Sequence, residues 1–455
     1  MTTRIESAMA ELGNGLDGRV IRPGDADYDK ARGVFAGGID KRPGAIVRVK
    51  TAADVQRTVD AARDNDVELA VRSGGHSSAG HSTSEGGIVL DLRDMKAITI
   101  DADERAAWVE TGATAAEVVA AAGKYGLVAG FGDTGSVGVG GITLGGGVGY
   151  LSRKWGLAID SLLAAEIVTA DGLMLSADAE TNADLFWALR GGGGNFGVVT
   201  RFRFQLHDLP AFTGGLMVLP ATAEAIAGFV SAAVEAPDEL STICNVMPAP
   251  PLPFLPADQH GKLVIFAMLA FAGEVAAAER ALAPFRALGP LVDMVKPGPY
   301  GQMFPPEDPN FHPTAVAPTM FMKRVDEAVA RTIIDTLRTS SSSFSAVQLR
   351  VLEGALARVP ADATAYAHRS SPIMVNIMAL HTPEDRLKQE VWTAAFADAL
   401  AQDEPGAYVN FLGVEGPERV RAAYPGKTWD RLQAAKAKYD PDNLFRLNQN
   451  IAPVR

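Results

Sequence analysis

The chain has 455 residues, more than a single hydrophobic core usually serves, so two or three domains are expected. Apolar residues make up 47% and charged residues 21%, an ordinary globular balance, and the formal net charge of −12 argues against nucleic acid as a partner. Cys244 is the only cysteine, which excludes an internal disulfide framework and any multi-cysteine zinc or iron–sulfur site.

Residues 1–16 carry Arg4, Glu6 and Glu11 and lack an apolar centre, so a secretory leader is not expected. The longest strongly apolar run, Leu263 to Ala272, is too short to span a bilayer. A cytoplasmic protein with no membrane partner is the expectation. In the first half, strand and helix signals alternate. Ala45 to Val49 reads as a strand, and Asp54 to Asp64 as a helix with Val55, Val59 and Ala62 on one face. Leu69 to Val71, Ile88 to Leu92 and Ala107 to Glu110 read as strands. Thr114 and Glu117 form a capping-box pattern ahead of a helix from Ala115 to Ala122. Leu162 to Thr169 and Leu173 to Ser176 flank Asp171-Gly172, a hairpin signal. Asp184 to Arg190 reads as a helix closed by Gly191, and Val198 to Leu206 alternates as a strand.

After Pro210 the composition changes. Pro248 to Pro256 holds five prolines and reads as a connector. Strands are expected at Leu263 to Phe271, Ser345 to Leu352 and Ile373 to His381, with an alanine-rich helix from Val275 to Leu288. Asp430 to Lys438 reads as a helix in a final segment able to pack back on the first domain.

Two glycine-dense stretches carry the chemistry. Arg72-Ser73-Gly74-Gly75-His76-Ser77 follows a strand, and Gly132 to Gly149 contains nine glycines among small residues. Such turns let backbone N–H groups approach an anion, and the first presents an imidazole to the same space. Two of them suggest a long phosphate-containing ligand lying between. A glycine turn with a solvated histidine is the plainer reading of the first stretch taken alone. Gly192 to Gly197 matches G-x-G-x-x-G, but it lies in the order helix, glycines, strand. The helix N-terminus of a dinucleotide fold is therefore missing, and a tight connection is expected. No Gly-x-Ser-x-Gly elbow and no paired-histidine spacing occurs, so neither an esterase nor a metal site is expected.

These stretches, with Ala183-Asp184-Leu185-Phe186-Trp187-Ala188-Leu189-Arg190-Gly191, Tyr408-Val409-Asn410-Phe411, Lys438-Tyr439-Asp440-Pro441 and Asn448-Gln449-Asn450-Ile451, resemble nearly end to end the berberine-bridge-enzyme-like branch of the vanillyl-alcohol-oxidase superfamily, in particular its bacterial members. The resemblance implies an α+β fold. A two-part FAD-binding domain would span residues 1–207, a substrate domain with an antiparallel sheet over the flavin 208–407, and a segment returning to the FAD domain 408–455. It implies FAD bonded at its 8α-methyl to His76. Arg72, Ser73, Gly74, Gly75 and Ser77, and the run with Val137, Gly138, Gly141, Gly146, Gly147 and Gly149, would surround the pyrophosphate. His81, five residues after His76, is read from its position as a support of the first loop rather than a catalytic group. Gly197 and Val199 would lie by the adenosine, Tyr408 and Asn410 near the flavin ring, and Asn448 with the cofactor-facing tail. Thr134, followed by Gly135, occupies the place where many relatives carry a second attaching cysteine, so a single link is implied. Cys244 is expected to be an inert apolar residue.

The implied reaction moves hydride from a small organic substrate to flavin N5 and electrons to O₂, with a C–N or C–O bond of an alcohol, amine or phenolic or polyketide-like molecule as the target. Alcohol oxidation needs a base for the O–H proton. Many relatives place a tyrosine where this chain has Phe411, which accepts no proton, and a neutral amine would avoid the need. Candidate catalytic residues are Tyr408, Asn376 and His381. The last two lie on one alternating strand and face opposite ways. Gln348, Arg350 and Glu353 could line the pocket, with an ion pair as the alternative for the charged pair. His312 is a candidate lid residue. A dehydrogenase using another acceptor, a flavin-binding protein without turnover, and a module binding some other phosphate ligand remain as alternatives. The substrate and the oligomeric state are not legible.

Overall fold

A computed structural model describes residues 3–13 and 15–454. Three sheets organise it. The first has four strands in the order Arg19–Ile21, Ala45–Arg48, Ile88–Asp91, Leu69–Arg72. Its outer pair is antiparallel and the other two pairings are parallel. Buried parallel strands read as continuous apolar runs, as Ala45-Ile46-Val47 and Ile88-Val89-Leu90 do. The second sheet is antiparallel: Ile98–Asp101, Ala106–Glu110, Val198–Gln205, Leu162–Val168, Met174–Asp178.

The helix Ala52–Asp64 joins these layers. Val55, Val59 and Ala62 are fully buried and share one core with Val47 and Leu90 of the first sheet and Val168 and Val198 of the second. The Thr114 and Glu117 capping box forms as expected and starts the helix Ala115–Gly123. The hairpin turns at Gly172, whose φ of +81° suits glycine. The helix Ala183–Leu189 passes through Gly191, Gly193 and Gly197, all at positive φ, directly into the strand Val198–Gln205.

The third sheet has nine strands, all antiparallel, running Val292–Asp293, Thr213–Pro220, Leu263–Phe271, Leu240–Pro248, Ser345–Val351, Ile373–Leu380, Ala315–Val316. Lys296–Pro297 and Thr319–Met322 pair at its margins. Helices Ala223–Glu235, Val275–Arg286, Glu327–Arg338 and Arg386–Leu400 cover one face, where Ile226, Leu282, Ile333 and Phe396 are buried against Ile265, Val347 and Ile377. Cys244 is buried in that layer, and burial pushes its thiol up to about 12, so it is unreactive. The other face meets the first two sheets. Met374 packs there with Val148, Leu157 and Tyr408.

The C-terminal segment returns to the glycine connection after Ala183–Leu189. Lys436, on the helix Lys427–Tyr439, is fully buried and donates to the Asn195 carbonyl (2.9 Å), the Asp440 carboxylate (2.6 Å) and the Phe445 carbonyl (2.9 Å). Every donor of the ammonium is thereby matched, which a buried cation requires. No helix among the described residues is long and apolar enough to cross a membrane.

Candidate active site

A cavity of about 440 Å³ runs between the first two sheets, the C-terminal segment and the open face of the nine-stranded sheet. Ser73, Gly74, Gly75, His76 and Ser77 form one wall, and Val137, Gly138 and Gly141 with Thr134 another. Gly197 and Val199 lie with Asn448 and Asn410 in the same lining, and Asn376, Ala317 and Phe411 come from the sheet and the tail.

The two glycine loops close on each other. A Cβ on Gly74 would lie 2.3 Å from the Gly138 nitrogen, and one on Gly138 would lie 2.1 Å from Ser73 Oγ. Ser73 bridges them, donating to the Thr111 carbonyl and accepting from the Gly140 N–H at 3.2 Å. The N–H groups of Gly74, Gly75, His76 and Ser77 donate to none of the described residues, and Gly75 is at φ +79°. Successive unspent N–H groups around a left-handed residue make an anion-binding concavity. No lysine or arginine among the described residues lines the cavity, so these dipoles are what an enclosed pyrophosphate would meet. Asn448 Oδ1 is buried in the same wall without a partner among the described residues, while its amide nitrogen donates to the Gly194 and Phe445 carbonyls. The donors and the orphaned acceptor fit a dinucleotide.

Several expected cofactor residues do other work. Arg72 is fully buried but outside the cavity. Its guanidinium donates to the carbonyls of Ser82, Ala31 and Arg32, tying the strand end to the first segment. Gly146, Gly147 and Gly149 do not line the cavity, and the N–H groups of this half are spent internally. Gly146 donates to Thr143, Gly149 to Ser152, and Gly147 and Val148 to the Tyr408 hydroxyl. From this half Val148 lines the cavity, but its N–H is already spent on Tyr408. Gly135 packs against Ala116, Phe304 and Glu307 instead.

Tyr408 lines the cavity, but its hydroxyl oxygen accepts from Gly147 N–H (3.1 Å), Val148 N–H (3.2 Å) and Asn410 Nδ2 (3.1 Å). Burial holds its pKa above the usual phenol range, so it stays protonated and anchors the loop rather than taking a proton. His381 is outside the cavity, its Nδ1 2.9 Å from the Thr382 carbonyl oxygen at the strand end. The alternation that places Asn376 toward the cavity turns His381 away.

Asn376 belongs to a cross-strand row, Asn245, Gln348, Asn376, Thr319, each directly opposite the next. Gln348 donates to Asn245 Oδ1 at 2.9 Å and accepts from Arg350 Nε at 2.7 Å. Arg350 forms an ion pair with Asp133 of the second glycine loop, and its guanidinium carbon is 5.2 Å from the centre of the Phe411 ring. The Asn376 amide has no partner among the described residues, so it is free for a ligand.

His76 has its ring stacked on Phe35, centroids 4.3 Å apart at 18°. Its Nε2 is 2.9 Å from Ser136 Oγ. Burial, opposed by nearby Glu307, lowers its pKa, so the ring is neutral at pH 7. His81 is pushed down to about 4 by burial and Lys41. His312 sits on the loop over this corner, Nδ1 3.1 Å from the Phe35 carbonyl oxygen. Sequence reasoning did not single out Asp133, Ser136 or Glu307. The first two stood inside the glycine loop, and Glu307 lies between prolines with no periodic signal.

Residues 43–178 match the family described as FAD binding domain, and residues 407–452 the family described as Berberine and berberine like. (R)-6-hydroxynicotine oxidase of Paenarthrobacter nicotinovorans is 32% identical over 96% of this chain and 97% of that protein. The chain belongs to the berberine-bridge-enzyme-like family of FAD-linked oxidoreductases. Berberine bridge enzyme-like 17 of Arabidopsis thaliana is 28% identical over 90% of this chain and 85% of that one. The crystal structure of 6-hydroxy-D-nicotine oxidase from Arthrobacter nicotinovorans superimposes with a TM-score of 0.86 at 29% identity, covering 96% of this chain and 98% of that chain. The α+β, two-part architecture expected from the sequence is that of the family, and the chain is an FAD-dependent oxidoreductase.

Proposed function

We propose that this member is an oxidase with FAD bonded to His76 alone, acting on a small organic molecule at a C–N or C–O bond, with O₂ as electron acceptor. FAD supplies the hydride acceptor and the route to O₂. The observation that carries the reading is the single cavity in which His76, the unspent N–H groups of Gly74 to Ser77, and the sheet residue Asn376 meet. Thr134 stands in the second loop, and Cys244 is buried in the helix-covered layer of the nine-stranded sheet, so no thiol is available for a second bond.

The titratable lining favours an amine. Of His76, His81, Asp133 and Tyr408, the first is reserved for the cofactor, the second titrates near 4, the third is paired with Arg350 and the fourth is fully engaged. Phe411 adds no acceptor. An alcohol would find no free base for its O–H proton, whereas a neutral amine needs none before hydride loss. Asn376 would orient the substrate through its free amide. The nicotine derivative in the name of the 32% identical relative points the same way.

Acid precipitation followed by intact mass tests the attachment: colour in the pellet with one FAD of added mass, lost in His76→Ala, is expected. Anaerobic bleaching by a panel of cyclic amines, alcohols and phenols, followed by readmission of air, tests the chemistry. A flavin bleached by alcohols and not by amines, or one that stays reduced for minutes in air, overturns the corresponding half.

A further inference from the structure

Ser136 and Glu307 occupy an arrangement with a direction built into it. The Ser136 backbone N–H donates to Glu307 Oε1 at 3.0 Å, and the Ser136 hydroxyl donates to Glu307 Oε2. An ionised carboxylate only accepts, so the hydroxyl hydrogen of Ser136 is committed to Glu307. What Ser136 Oγ offers to His76 Nε2 is therefore a lone pair, and Nε2 must carry the ring hydrogen. Nδ1, which has no hydrogen-bond partner among the described residues, then keeps its lone pair. The Phe35 stack fixes the ring plane, and the Ser136 contact fixes its rotation in that plane. Glu307 comes from the substrate domain, in the loop that also brings Phe311 edge-on to Phe35 at 6.5 Å and joins the Pro313 carbonyl to the Gly37 N–H at 2.9 Å. His76, its nearest acid and the loop that carries that acid thus come from two domains.

We infer that Glu307, acting through Ser136, is a positioning residue for cofactor attachment: it holds His76 with Nε2 protonated and Nδ1 free, and receives the Nε2 proton as Nδ1 forms its bond. This rests on the reading of His76 as the attachment point. In the step, the 8α carbon of oxidised FAD loses one hydrogen as a proton, the Nδ1 lone pair forms a C–N bond to that carbon, and the flavin ring retains two electrons. The alkylated imidazole would be cationic, and the Nε2 hydrogen passes along the Ser136 hydroxyl to Glu307. O₂ then removes the two electrons, with two protons, as H₂O₂. Because the relay runs from histidine to carboxylate and is completed only by the loop of the nine-stranded-sheet domain, attachment follows docking of that domain.

The test uses the full chain produced without flavin, then mixed with FAD in air, quenched in acid at intervals and weighed intact. Wild type is expected to convert to the covalent form. Ser136→Ala, which leaves the backbone contact to Glu307, and Glu307→Gln are expected to bind FAD and melt as wild type does, yet to attach it on the order of 10²-fold more slowly, the usual worth of positioned proton transfer. Nitrogen-15 spectra of histidine-labelled, flavin-free wild type should show His76 as the Nε2–H tautomer, and Ser136→Ala should lose that preference. Equal attachment rates in all three proteins, or an Nδ1–H tautomer in wild type, overturn the role of Glu307 and leave the attachment reading intact. Wild type that only ever releases its FAD into acid overturns the attachment reading and the role of Glu307 with it. If Glu307→Gln fails to fold, Ser136→Ala decides alone.

Discussion

Arg350 and Asp133 form an ion pair between the middle of the nine-stranded sheet and the second glycine loop, with the arginine side chain 5% exposed and the aspartate 26%. The contact joins the two domains at the cavity rim and leaves Arg350 Nη1 buried without a partner among the described residues. A pair this enclosed contributes mainly by what happens when it is broken, since the remaining charge is stranded. Arg350→Met should lower stability by about 2–3 kcal/mol, less than a fully buried pair because Asp133 is partly wet. It should also raise the KM for substrate by freeing Asp133 toward the cavity. A urea midpoint and a steady-state KM measure the two. An unchanged midpoint would show that water already compensates the pair.

Phe411 and Arg350 suggest a gain of function. Phe411→Tyr adds a phenol to the ring that the guanidinium overlies at 5.2 Å, and a nearby cation favours the ionised form. The variant should gain turnover with alcohols while amine turnover stays within a few-fold. Parallel oxygen-uptake assays on both substrate classes would show it, and no gain on any alcohol would mean that substrate does not reach this ring.

Two glycines of the same loop should respond oppositely to one methyl group. At Gly138 a Cβ would meet Ser73 Oγ at 2.1 Å and the Gly74 nitrogen at 2.2 Å, both held in place, whereas at Gly141 nothing lies within 4 Å. Gly138→Ala should part the two loops and lose FAD during purification. Gly141→Ala should fold and melt normally and weaken FAD binding only by filling cavity space. The flavin-to-protein absorbance ratio with a thermal melt separates the two.

Tyr408→Phe removes one acceptor shared by Gly147, Val148 and Asn410. Asn410 Nδ2 keeps the Ile142 carbonyl at 3.0 Å, so two buried N–H groups are left unpaired, at roughly 1–3 kcal/mol each. Stability should fall by up to the sum of the two, while the pH profile of turnover stays unchanged. A profile that loses a limb would instead return Tyr408 to acid–base duty.

Acid should act through histidines that are neutral in the fold. His207, stacked on Trp155 at 4.9 Å with Ser161 Oγ 2.9 Å from its Nε2, is pushed down to about 4 by burial. Above about pH 6.5 it is neutral in both states and contributes no pH dependence. Between about 6.5 and 4 the unfolded chain binds the proton and the folded one does not, so stability falls as pH falls, by at most about 3 kcal/mol once below 4. His207→Gln should flatten this slope in urea titrations run across that range. A slope as steep as wild type would assign the effect to His81 and other groups.

The sequence by itself determined those features whose physics is local. The Thr114 and Glu117 box, the Asp171-Gly172 hairpin and the one-face spacing of Val55, Val59 and Ala62 need only neighbours in the chain, and all three form. The glycine stretches announced close approach, because a run of residues without Cβ has little other use. The order of motifs carried the family. Thr213–Pro220 was not legible, since Gly214, Gly215 and Pro220 have low strand propensity. It is a strand because Leu263–Phe271 and Val292–Asp293 pair with it from both sides. Tertiary structure alone decided which atoms of the glycine loops are free. Spacing does not reveal that Tyr408 consumes the N–H groups of Gly147 and Val148, or that Arg72 turns inward to three carbonyls. It also decided that His76 meets a serine 60 positions on and, through it, a carboxylate a further 171 positions along, because hydrogen bonds depend on distance in space and the chain brings these three together only when both domains have folded.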